Sequence, residues 1–233
     1  MRKHNLVKIL LLFVVLAGVA SSDANWAQNF YKEVPQIKIE EPFGVVTGSL
    51  NPDDPYLTIS ILDVALYAGH ICPGIASGWK ITELALKTLY DNDTPVRGMI
   101  KIAANVPSDL LDVASYVTGA RAFYGRDEVN HNDIVIDTAL GPHKPGVVVM
   151  IFKRKDNEKM VKVTFRKQKL FKDRKEMKRL KELKEKVLGG TASKRELETF
   201  KTILQRKAKE VLFDTPKGLI SVEEIKNYKF PKN

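Results

Sequence analysis

At 233 residues, with 44% apolar and 28% charged side chains, the chain can bury a true core and is too apolar to remain a disordered polyelectrolyte. Its net charge of +10 favours anionic partners, and its single cysteine, Cys72, excludes an internal disulfide. It has no Walker loop, dinucleotide-binding glycine pattern, Gly-x-Ser-x-Gly elbow, His-Glu-x-x-His helix or Cys-x-x-Cys-His haem motif, which removes those enzyme classes.

The N-terminus reads as an address. Arg2, Lys3 and Lys8 precede an apolar run from Ile9 to Ala20, and Gly18-Val19-Ala20 supplies small residues for cleavage. A run of about twelve falls short of the roughly 20 residues that span a bilayer. The pattern predicts a signal peptide over 1–20 and export to the periplasm or the extracellular space, with a membrane anchor if the signal stays uncleaved. In an oxidising compartment Cys72 is then free, metal-bound or paired with another chain.

Residues 37–41 and 56–61 fit strands or turn-bounded connectors, and 63–68 fits a helical turn leading into Gly69-His70-Ile71-Cys72-Pro73-Gly74. Pro73 suits the first position of a helix, which the apolar residues Ile75, Ala76, Trp79, Leu84, Ala85, Leu86 and Leu89 carry to about Tyr90. Cys72 falls at the cap, where free N–H groups and the helix dipole are expected to favour the thiolate. His70 can offer a ring nitrogen to the same point, a donor pair that suits zinc or another late transition metal. The plainer reading is a small buried hydrophobe beside an unrelated histidine. Glycines at 69 and 74, which let a backbone approach a ligand closely, favour a site.

Asp91 to Pro95 breaks the chain, and Val96–Ala103 reads as a strand. Ser108 and Asp109 are placed to start a helix that runs to Gly119. Two strands, 133–138 and 146–152, follow, the second apolar enough to lie inside a sheet. A turn at 155–158 then leads to the alternating strand 161–165. The fold class expected is α+β, with helices packed on a small, mainly antiparallel sheet.

Residues 166–210 hold 17 Lys plus Arg against 7 Asp plus Glu, an excess equal to the net charge of the whole chain. Apolar residues at helical spacing, a stop at Gly189-Gly190 and a Ser193/Glu196 capping box predict a basic helical hairpin over 166–213. It suits an acidic protein or an anionic membrane surface; nucleic acid is not expected for an exported chain. The same glutamates could instead pair with it internally. In the tail, 214–233, Ser221 and Glu224 predict a short capped helix docking on the 21–165 domain.

Residues 67–78, Tyr-Ala-Gly-His-Ile-Cys-Pro-Gly-Ile-Ala-Ser-Gly, resemble the His-Gly-His-x-Cys-Pro-Gly signature of the FmdE family of formylmethanofuran dehydrogenase proteins. Asp109 and Asp112 fall in a segment similar to its second motif, Thr118-Gly119 matches a Thr-Gly step, and 146–165 resembles its terminal hairpin. The resemblance covers about residues 56–166. The family's first histidine is Ala68 here, and its second-motif cysteines correspond to Asp109 and Ala120. A thiol-rich metal site is therefore not carried over.

The resemblance implies a homodimer and an accessory role beside a molybdenum or tungsten enzyme whose redox centre lies on other polypeptides. Two functions follow. One is an exported metal-binding protein holding a transition metal ion, zinc being expected, through His70, Cys72 and Asp109, with His143 and His131 as distant candidates. The other is a non-catalytic binding module that holds a small organic ligand or cofactor beside Cys72, in a pocket formed with Gly69, Pro73, Gly74 and Asp112.

Overall fold

The computed structural model describes residues 27–91, 93–121, 133–142 and 144–231. The predicted signal peptide, His131 and His143 lie outside them. Both segments left open between strand and connector form strands: β1 (Ile37–Glu40) and β2 (Tyr56–Ile59) pair antiparallel, with Ile37 opposite Ile59. Between them lies a short helix, α1 (Pro42–Val46), for which the sequence carries no clear signal. Helix α2 (Ile61–Ala68) starts at a Ser60/Asp63 capping box and ends at Gly69, whose φ of 75° terminates it.

Helix α3 (Pro73–Tyr90) has the predicted bounds and is the central element. It lies against a five-stranded sheet and packs with α4 (Asp109–Thr118) and α6 (Lys194–Phe213). The sheet order is β4-β3-β5-β6-β7. Strand β3 (Ile100–Ala104) starts later than expected, because Val96 pairs only through an isolated bridge to Glu40. Strands β5 (Val147–Arg154) and β6 (Met160–Arg166) form the predicted hairpin. Only β4 (Ile134–Ile136) runs parallel to its neighbour, so the α+β class with a mainly antiparallel sheet holds.

The predicted last helix does not form. Residues Ile220–Ile225 are instead β7, antiparallel to β6. A cap signal without an apolar helical stripe behind it is outweighed by the open edge of β6. There Glu223 pairs with Lys162, Glu224 with Lys159, and Arg166 donates to the Ser221 hydroxyl.

The basic segment contains α5 (Arg174–Leu188) and α6. The Ser193/Glu196 capping box is present, and Lys186 reaches across to Glu196, holding that carboxyl down at about 2. The two helices differ in depth. In α6, Ala208, Val211 and Leu212 join the core, whereas Leu183 is the one buried residue of α5. Among the described residues no helix is long and apolar enough to cross a membrane.

Candidate functional site

A cavity of about 590 Å³ opens at the start of α3, and His70, Cys72, Pro73, Gly74 and Asp109 line one side of it. Its other walls come from β5, β6 and the basic helices, including Phe165, Phe171, Leu180, Phe200 and Leu204, with Lys167, Lys184 and Lys207. The loop 69–72 is held by the side chain of Gln205 on α6, which donates to the Ile71 carbonyl at 3.3 Å and accepts from the Tyr31 hydroxyl at 2.7 Å.

Cys72 is the N-cap of α3, with extended backbone at φ −121° and ψ 175°. Its side chain makes no capping hydrogen bond, although the amides of Ile75 and Gly74 lie near enough to favour the charged sulfur. The thiolate is nevertheless not favoured. Burial is the largest influence and pushes the thiol up, Asp109 adds to it, and the two amides and Lys184 only offset it in part. Iodoacetamide is therefore expected to modify Cys72 more slowly than a free cysteine at neutral pH. Its pH–rate midpoint should lie above that of an ordinary thiol, and a midpoint below it, in an alkylation series followed by mass spectrometry, would overturn the burial argument.

Gly74 shows how close the donors come. A Cβ built there would lie 3.3 Å from Cys72 Sγ and 3.1 Å from Asp109 Oδ2, so both atoms crowd one point. A side chain there would require one of them to shift by a few tenths of an ångström. At Gly69 nothing lies within 4 Å of a built Cβ, and its left-handed φ ends α2. His70 lines the same cavity but is exposed, and its Nδ1 lies 3.0 Å from the Ala68 carbonyl. Asp112 is not part of the cavity wall. Burial, then the charge of Asp109, raises its carboxyl.

For a metal ion the fit is incomplete. Cys72 and Asp109 stand together, but no group of three His, Cys, Asp or Glu side chains among the described residues is placed to hold one. Sequence reasoning missed Ser108, Lys184 and the aromatic wall of Phe165, Phe171 and Phe200. Ser108 starts α4 without capping it, and its hydroxyl is buried beside the cavity with no hydrogen-bond partner. The apolar stripe of α6 is visible in sequence, whereas the surface it faces is not.

No curated protein matches the chain. A family model described as "FmdE, Molybdenum formylmethanofuran dehydrogenase operon" matches residues 67–219. The match starts two residues before Gly69 and continues past 166 through α5 and α6, into the segment just before β7. The family's association with a molybdenum enzyme operon is consistent with a metal-related role and specifies no metal for this chain. With well over half of its length matched, including the loop that carries His70 and Cys72, the chain belongs to the FmdE family.

Proposed function

We propose that the chain is an exported binding module of the FmdE family that holds a small organic ligand or cofactor in the cavity beside Cys72. The observation that carries this reading is the convergence of His70, Cys72 and Asp109 on one cavity whose remaining walls are largely apolar. Its volume falls within the roughly 300–1,000 Å³ usual for ligand sites, and a small number of polar and charged groups stand among its apolar walls. The charged and apolar N-terminus supports export, and the basic faces of α5 and α6 suit an acidic partner or an anionic membrane.

The crowding at Gly74 favours a second reading, a zinc-type ion held by Cys72 Sγ and Asp109 Oδ2, with His70 from the rim and donors from outside the chain. Because the thiol must lose its proton to ligate, affinity for such an ion should rise with pH.

Native mass spectrometry and elemental analysis of protein purified from its own compartment separate the two. A stoichiometric organic adduct that disappears when Leu204→Trp fills the cavity supports the first reading. Stoichiometric metal without an adduct, lost in Cys72→Ser, supports the second and overturns the first.

A further inference from the structure

We infer that the cavity takes an elongated amphipathic anion, a long-chain carboxylate, lying beneath α5 with its acid group at Lys167 and Lys184. This inference rests on the ligand-binding reading above and names its ligand class.

The space beneath α5 continues beyond the cavity at Cys72. A second cavity of about 740 Å³ shares Lys167, Phe171, Leu180, Lys184 and Leu188 with the first, so the two meet along one face of α5. That face is apolar yet poorly packed: Met177 is 39% and Leu188 74% exposed. A hydrocarbon chain lying there would supply the contacts that the protein does not, and would remove these side chains from water.

Charge selects the head group. Five lysines line the two cavities, and three form ion pairs: Lys178 with Glu182 and Lys181 with Glu185 on the exposed surface, and Lys207, only 3% exposed, with Glu176 and Glu210. Lys167 and Lys184 form no ion pair with any described carboxylate, and both stand where the cavities meet. An anion placed there meets two unpaired ammonium groups beside low-dielectric walls, where its attraction is stronger than in open water.

The test is calorimetric titration of the delipidated full chain with sodium dodecanoate below its micellar concentration. Dodecanol and dodecyltrimethylammonium serve as neutral and cationic controls. One-to-one binding of dodecanoate, at least about tenfold tighter than either control, is the expected result. Lys167→Gln combined with Lys184→Gln should remove that preference and leave dodecanol binding unchanged; both side chains are exposed, so the melting temperature should hold. Equal binding of dodecanoate and dodecanol would overturn the ligand class while the cavity remains a ligand site. Co-sedimentation with phosphatidylglycerol vesicles without binding of monomeric dodecanoate would assign the two lysines to a membrane surface and also overturn it. Failure of the ligand-binding reading itself shows elsewhere, as a native mass spectrum without an organic adduct.

Discussion

Trp79→Ala is expected to cost about 3–5 kcal/mol of folding stability, a large share of the roughly 5–15 kcal/mol that holds a typical domain together. Trp79 is fully buried on α3, the helix that touches the sheet, α4 and α6 together. How far the surroundings can collapse into the void sets the cost, and here they are braced. At the neighbouring Gly78 a Cβ would lie 2.9 Å from Val113 Cβ and 3.1 Å from Leu110 Cα, so α3 and α4 already meet at backbone distance. The indole N–H of Trp79 is buried without a partner. Trp79→Phe, which removes that polar group and keeps most of the ring volume, should therefore cost markedly less. Urea midpoints for the two variants check both statements. A Trp79→Ala loss near 1 kcal/mol would mean that the helices do relax into the space.

Much of this architecture is legible in the sequence because its signals are local. Pro73 behind Cys72, the apolar run to Leu89 and the break at Asp91 fix α3 without reference to the rest of the chain. Val149–Phe152 reads as an interior strand because it is apolar without alternation, and it is buried. Ser221 and Glu224 mislead because a capping box is equally compatible with a strand whose two glutamates face lysines across a ladder. Only the unpaired edge of β6 decides between them.

The site is legible in part for the same reason. Local pattern and a family resemblance single out His70, Cys72 and Asp109, and they do share a cavity. The thiolate expected at the cap is not favoured, because the cap amides are local while the burial that outweighs them comes from distant segments. Gln205, 134 residues from the Ile71 carbonyl it binds, carries no sequence signal at all. The basic segment shows the same limit. Its composition suggests a separate hairpin, yet α6 supplies Ala208, Val211 and Leu212 to the core and Phe200 and Leu204 to the cavity wall. Only α5 rests lightly on the protein, with Leu183 as its one buried residue.

Lys155→Met should be the most damaging substitution outside the aromatic core, at about 3–5 kcal/mol, because it strands a buried charge. Asp133 has no exposed surface, and Lys155 Nζ lies 2.6 Å from its Oδ2 while also donating to the Gly98 carbonyl at 2.7 Å. Among the described residues the other carboxylate oxygen has no partner. The backbone of Asp133 joins β3 and the chain at Arg121, accepting from the Ile102 amide and donating to the Arg121 carbonyl, so an uncompensated charge there strains the β3–β4 edge. Burial already raises the Asp133 carboxyl, with the hydrogen bond and charge of Lys155, and then Lys101, acting against it. Removing Lys155 takes away most of that opposition, and the carboxyl rises further. A folded state that holds this proton more tightly than the unfolded chain loses stability as pH rises from the unfolded carboxylate's range through the folded value, and recovers it below. The gap between Lys155→Met and wild type should accordingly be full at pH 7 and narrower near pH 4, and adding Asp133→Asn should close part of it at pH 7. A gap that is the same at both pH values in urea titrations would assign the lysine's contribution to the Gly98 carbonyl instead of to the charge.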